Sequence, residues 1–377
     1  MRKRNVHRWL AVTLVSLTLL LIIGCGSDPT ATPTQRAPEA APTATPTPDP
    51  WQAIEAAAKA EGSVIFVASS ENVGWEEILK GFESKYGIKT SFSVIRTGDF
   101  AARIEAEFGA NNVSTDVYSS GGGAQLSKAG FTQRVPQMPM MDEPDSSWIY
   151  DPFIDWKSGK TDVIFADMSP NYMLVNNELC PVGSCVESYK DLSDPKWKGE
   201  LLMVEPIGVT TGSFIMGFLH EEYGEEWSRA VVSNIGATIR GTKEGEAMIA
   251  RGEFPIFVTG KAPKATQKLP PPRPLRAVRP SDGLIPSISG PIVPKNNPHP
   301  NAAFLLVNYM LTQEAQQLKA SVIGEGFIRT DVKAFDPDLM QLAGNIFPTA
   351  PTSPEFQGRF PTYTDMWQEE LEKSGLR

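Results

Sequence analysis

Five short segments of this 377-residue chain gather groups that can grip a small polar molecule. They are Ser69-Ser70, Arg96-Thr97-Gly98, Ser119-Ser120-Gly121, the run Gly208-Val209-Thr210-Thr211-Gly212-Ser213, and Arg240-Gly241-Thr242. Each lies just ahead of a stretch with helical periodicity, where unpaired backbone N–H groups and the positive end of the helix dipole favour an anion. Any one of them is also ordinary capping and turn chemistry. Five together, two carrying arginine, point to a site for a carboxylate, phosphate or phosphonate, groups that guanidinium grips in a bidentate manner. The candidate ligand-binding residues are Ser69, Ser70, Arg96, Thr97, Ser119, Ser120, Gly121, Thr210, Thr211, Gly212, Arg240 and Thr242.

Catalysis finds less support. The chain has no Gly-x-Ser-x-Gly nucleophile elbow, no phosphate-binding Gly-Lys-Ser/Thr loop and no His-Glu-x-x-His helix. His220-Glu221-Glu222-Tyr223-Gly224 begins like the last but carries Gly224 where the second histidine belongs, and it reads as a solvated helix end. No catalytic residue, cofactor or metal site is expected. A hydrolase remains the competing class, and a turnover assay on esters or phosphates separates it from a receptor.

The elements that must position these segments alternate. Trp51 to Ala60 has helical spacing, and the apolar run Ser63 to Ala68 is typical of a buried parallel strand. Trp75, Ile78, Leu79, Phe82 and Tyr86 form a helical stripe that Gly87 stops; Ile88 to Ile95 is a second strand. Asp99 to Ala110 is a helix with Phe100, Ile104 and Phe108 on one face, and Asp116 to Ser119 is a third strand. Helix–strand alternation of this kind implies a parallel sheet covered on both faces, whose ligands bind beyond the carboxyl ends of the strands. The five segments lie where such ends are expected. Ala237-Thr238-Ile239 is strand-like ahead of Arg240, and Phe214 to Leu219 is an apolar helix after Ser213.

The N-terminus is of another kind. Arg2, Lys3, Arg4 and Arg8 precede an apolar run from Trp9 to Ile23, the layout of a secretory signal and short for a membrane span. Ile22-Ile23-Gly24-Cys25 looks like a lipobox, with Ile22 where leucine is commoner, so Cys25 is expected to carry lipid; an uncleaved signal anchor is the alternative. Residues 26–50, rich in Thr-Pro steps and nearly free of large apolar side chains, cannot repay the entropy of ordering and read as a tether. Without the four basic residues ahead of Cys25, 31 Lys+Arg face 44 Asp+Glu, a balance of −13 that argues against a nucleic-acid partner. If Cys25 is lipidated, Cys180 and Cys185 remain, and in an oxidising compartment their short turn reads as a local disulfide; two reduced thiols are the alternative.

From about Gly62 to Gln317 the chain resembles the extracellular solute-binding proteins of the type 2 periplasmic-binding fold, in the branch with ferric-iron, polyamine, thiamine and phosphonate receptors. The residues that carry the likeness are Glu61-Gly62-Ser63, Phe82 to Ile88, Arg103 to Glu107, Asp191-Leu192-Ser193-Asp194-Pro195-Lys196-Trp197-Lys198-Gly199, Ala250 to Glu253, and Asn297 to Ala303. The Asp-Pro-Lys-Trp-Lys-Gly run is the most distinctive. The resemblance implies an α/β, two-lobed architecture, each lobe a mainly parallel sheet flanked by helices, joined by two crossing strands. Mapped here, residues 1–24 are the signal and 25–50 the lipidated tether; 51–161 and 295–377 form lobe one, 176–286 lobe two, and 162–175 and 287–294 the crossings. Helices from Ala302 to Val322 and near Thr362 to Lys373 are expected to complete lobe one, and the proline-rich stretch Leu269 to Pro280 to loop out of lobe two.

The implied activity is capture of a small solute between the lobes and delivery to an ABC permease, by a monomer held at the cell surface or in the periplasm through its lipid. A sensory receptor that signals to a membrane protein is another reading. Ferric-iron members of the family use an adjacent tyrosine pair soon after the segment matching Gly252-Glu253. This chain has Phe254-Pro255-Ile256-Phe257-Val258-Thr259-Gly260-Lys261 there and no adjacent tyrosines anywhere, and neither Thr259 nor Lys261 replaces a phenolate on a hard cation. An anionic solute is therefore expected in place of bare ferric ion, with an iron complex as the alternative.

Overall fold

A computed structural model describes residues 49–68, 74–95, 97–120, 123–207, 210–260, 275–323, 327–333, 356 and 359–376. The first described element is α1 (Pro50–Glu61), opened by the Asp49 carboxylate accepting from Trp51 N and closed by Gly62 at φ 73°. Proline at the first helical position and a left-handed glycine at the end are the usual boundary chemistry.

Strand β1 (Ser63–Ala68) then lies between β2 (Lys89–Val94) and β3 (Val117–Ser120), parallel to both. The connections are helical: α2 (Gly74–Tyr86) buries Trp75, Ile78, Leu79 and Phe82, and α3 (Thr97–Gly109) follows β2. After β3 come α4 (Gly123–Lys128), the two-residue β4 (Thr132–Gln133) and α5 (Ile154–Lys157).

The chain next enters the ten-residue β5 (Asp167–Asn176) and builds a second set of elements: β6 (Leu201–Val204), α6 (Thr211–Asn234), β7 (Ile235–Ile239), α7 (Thr242–Ala250), β8 (Ile256–Gly260) and β9 (Leu275–Val278). It returns through β10 (Ile285–Pro294), then α8 (Pro300–Met310) and α9 (Gln313–Ile323), and ends in α10 (Phe360–Lys373).

Pairing reveals one strand pattern used twice. In the first set the order is β2-β1-β3-β10-β4, with β1, β2 and β3 parallel and β10 antiparallel to β3 and β4. In the second it is β7-β6-β8-β5-β9, with β6, β7 and β8 parallel and β5 antiparallel to β8 and β9. Each lobe thus borrows as its fourth strand the one that arrives from the other lobe. The two borrowed strands are long enough to serve both lobes, and their outer halves pair with each other, Asp167–Asn171 against Ile285–Ser289. Apolar packing follows the same division: Trp75, Phe82, Tyr118 and Tyr309 belong to one buried cluster, and Met216, Trp227, Val258 and Trp367 to another.

Three details depart from the sequence reading. Of the stretch Leu269 to Pro280, expected to loop out of lobe two, residues 275–278 form β9 against β5, and 269–274 lie outside the described residues. Helices α8 and α9 pack in the first cluster, but α10 does not complete lobe one: Trp367 and Leu371 are buried in the second cluster and the helix lies along α6. Its stripe of Tyr363, Met366, Trp367 and Leu371 shows that it needs an apolar partner without saying which. Arg229 pairs with Glu370 at 2.8 Å and Arg359 meets both oxygens of Glu221 at 2.6 and 2.9 Å, so charge complementarity adds to the choice. His220 stands at a helix end, as expected, in the last turn of α6 before its break at Gly224 (φ 87°), but it is half-buried there and not solvated. Its ring stacks 4.4 Å from Tyr363, Nδ1 lies 2.9 Å from Ser228 Oγ, and burial holds its pKa below the ordinary histidine value.

Candidate functional site

Parallel pairing brings the carboxyl ends of β1, β2 and β3 to one rim, where Ala68 is in register with both Val94 and Ser119. It brings those of β6, β7 and β8 to a second rim, where Val204 is in register with Ile239. The crossing strands relate the two. Ser120 ends β3 opposite Gly290, and Gly260 ends β8 opposite Tyr172. Ala166 is bonded to Ser289 next to that first level, so about six residue steps separate the rims along the crossing, or roughly 20 Å at the usual strand rise. Both sets of strand ends therefore point at the same short stretch of crossing from opposite sides.

Of the predicted residues on the first rim, Ser119 and Ser120 are buried at the end of β3, and Thr97 opens α3. Ser69, Ser70, Arg96 and Gly121 lie outside the described residues.

On the second rim the segment from Thr210 is built as a helix start. Thr210 Oγ1 accepts from Ser213 N at 3.0 Å and donates to Glu205 O at 2.6 Å, while Ser213 Oγ accepts from Thr210 N at 2.9 Å. This reciprocal cap occupies the Thr210 hydroxyl, so the segment offers a ligand the backbone N–H groups at Thr211 and Gly212. Gly212 has no room for a side chain, since a Cβ there would strike the carbonyl oxygens of Val204 and Glu205. Replacing Thr210 by alanine should cost about 1 kcal/mol of stability, the usual worth of such a cap, measurable by urea denaturation. A loss under about 0.3 kcal/mol would show that the cap carries no weight.

Arg240 follows the last residue of β7 and is exposed, with no ion pair among the described residues. Gly241 caps α7 without a side-chain bond, which leaves the first N–H groups near Thr242 open. Thr259, considered above as a substitute for a tyrosine ligand, is fully buried, and its Oγ1 accepts from Val204 N at 2.9 Å. It serves the sheet. Lys261 lies outside the described residues.

Three groups near the site had no signal in the sequence. Glu205, directly after β6, places a carboxylate on the second rim. Asn171 Nδ2 ties the two crossing strands by donating to Ile285 O at 2.8 Å and Ser287 Oγ at 2.9 Å. Asp167, first residue of β5, pairs with the wholly buried ammonium of Lys319, which also lies 4.5 Å from the Trp75 ring at the start of α2. Residues 167 and 319 belong to elements far apart in the chain, so only the folded topology brings them together. Among the described residues no group of three or more His, Cys, Asp or Glu is placed to hold a metal ion.

Elsewhere in lobe two, Cys180 and Cys185 are joined by a disulfide, with Cα atoms 4.9 Å apart.

Comparison with known proteins fits this geometry. A protein of Haemophilus influenzae is 26% identical over 311 residues, 77% of this chain and 86% of that one. The periplasmic binding protein AfuA from Actinobacillus pleuropneumoniae, solved with fructose-6-phosphate bound, superposes with a TM-score of 0.64 at 22% identity, covering 82% of this chain and 99% of AfuA. Iron-bound HitA from Pseudomonas aeruginosa gives 0.63 at 18% identity, with 82% and 99% covered. At such identities these structures establish the fold, the two-lobed type 2 periplasmic-binding architecture, and leave the ligand open. The profile of the bacterial extracellular solute-binding proteins matches residues 77–347, nearly the whole of both lobes, and the chain belongs to that family.

Proposed function

We propose that this solute-binding protein captures a small anion of the carboxylate, phosphate or phosphonate type between its lobes and hands it to an ABC permease. The observation that carries the reading is the pair of opposed rims, each made of strand ends that feed helix N-termini, with Arg240 exposed on the second. Helix starts supply positive potential and N–H donors, and arginine supplies a charged fork. Glu205 adds an acceptor for ligand hydroxyls, as on a sugar phosphate or hydroxy acid. Closure is favoured because a bound solute makes contacts with both rims only in the closed form. Lipid on Cys25 and the 26–50 tether keep the lobes beside the membrane; among the described residues no helix is long and apolar enough to cross it.

Thermal-shift and calorimetric titration with fructose-6-phosphate, citrate, inorganic phosphate and ferric citrate tests the reading. An anion at about a hundred times its dissociation constant adds roughly 2.7 kcal/mol of stability. For the anion that binds, Arg96→Ala and Arg240→Ala should each weaken affinity by about 10-fold or more, because a hydrogen bond to a charged group is worth roughly 1.5–3 kcal/mol. Unchanged affinity in both variants, or binding only of ferric citrate in a mode insensitive to them, would refute it.

A further inference from the structure

Lobe two has a second concavity, of about 450 Å³, whose walls among the described residues come from β9, the residues after it and the chain from Val182 to Glu187, next to the disulfide. Val182, Cys185 and Val186 give it apolar surface, and Arg276, Arg279 and Glu187 line it with charged groups. The arginine on β9 is held in an unusual way. Arg276 Nη2 donates to the Cys180 carbonyl at 3.0 Å, which fixes the guanidinium against the loop, while its Nε is buried with no acceptor. Glu187 acts on it through space, favouring the charged form. A buried N–H without a partner, and more so a charged one, is costly, and the structure leaves that cost in place.

We propose that this pocket is a second ligand site, for a small organic monoanion whose carboxylate accepts from Arg276 and whose apolar body lies against Val182 and Val186. The Arg276 guanidinium selects a carboxylate, and the apolar wall selects a ligand with a carbon body over a bare inorganic ion. The disulfide and the Nη2 bond hold the arginine in place before the ligand arrives, so little ordering is lost on binding. Burial pushes the Arg276 pKa down, in keeping with a cation that lacks compensation. Among the described residues it shares no wall with the two rims.

Benzoate is a suitable probe, with benzyl alcohol as its neutral analogue. Calorimetric or saturation-transfer titration should show benzoate binding at least about 10-fold more tightly than benzyl alcohol, the least that one charge-assisted hydrogen bond provides. Arg276→Met should remove that preference, and Arg240→Ala should leave it intact. Should the Arg276 variant fold poorly, Val182→Trp, at a residue 82% exposed, fills the mouth of the pocket without touching the core and should weaken benzoate by a similar factor. The proposal is overturned by benzoate affinity that survives both Arg276→Met and Val182→Trp, by loss of binding in Arg240→Ala, which would put benzoate in the main cleft, or by no binding up to about 10 mM.

Discussion

Replacing Lys319 by methionine should destabilise the protein by about 3–5 kcal/mol, the cost of leaving one member of a buried ion pair without its partner. Lys319 is wholly buried, its ammonium pairs with Asp167, and Ser289 Oγ donates to the same carboxylate at 3.1 Å. Methionine fills the volume and keeps contact with Trp75, so the loss isolates the charge from the packing. Combining Lys319→Met with Asp167→Leu should recover much of the loss, because an apolar pair of similar size is often as stable as a buried ion pair. Urea denaturation of the single and double variants measures both. A single-variant loss under about 1 kcal/mol would mean that water reaches Asp167 when the lysine is gone. The consequence for function follows from position: Asp167 starts the crossing strand, and Gln316, one turn before Lys319, donates to Ala166 O at 3.0 Å. Helix α9 thus anchors the point where the chain leaves lobe one.

The second large effect is expected at Trp367. Truncation to alanine should cost about 3–5 kcal/mol, the range for removing a buried aromatic side chain. Its ring is fully buried in the second cluster, beside Tyr363 at 5.8 Å and His220 at 6.4 Å. Trp367→Phe should cost much less, since the indole Nε1 has no acceptor to lose and most of the apolar contact remains. Hydrogen exchange locates the damage: amides of α6 and α10 should lose protection while those of β1 and α2 keep theirs. Equal loss of protection in both lobes would show that the two clusters unfold as one unit.

Much of the architecture was legible because it is written in local patterns. The stripe Trp75, Ile78, Leu79 and Phe82 has the period of a helix, Ser63–Ala68 has the character of a buried strand, and glycines at 62 and 87 adopt positive φ where the helices stop. Each of these is a relation between residues a few places apart, which backbone sterics and the helical repeat read directly. The polar strand ends were legible for the same reason, and Ser119, Ser120, Thr211 and Arg240 stand at strand ends and helix starts. What a strand-end residue does with its side chain was not legible. Thr210 and Thr259 are both hydroxyls at the second rim, and each is taken up by a backbone partner five or more residues away, Thr210 by Glu205 and Thr259 by Val204.

By itself, then, the sequence determined the alternation of helix and strand, the two-lobed class through its family resemblance, and the polar character of the strand ends. Tertiary structure alone decided that α10 lies on α6, that Lys319 meets Asp167 at the crossing, and that Arg276 stands over the disulfide loop with one donor unpaired. The reason is physical. Local periodicity specifies that an element has an apolar face or a charge to satisfy, whereas the identity of the partner depends on which strands pair across more than a hundred residues. The two crossing strands, which pair Asp167–Asn171 with Ile285–Ser289, set that long-range register and with it the placement of both rims.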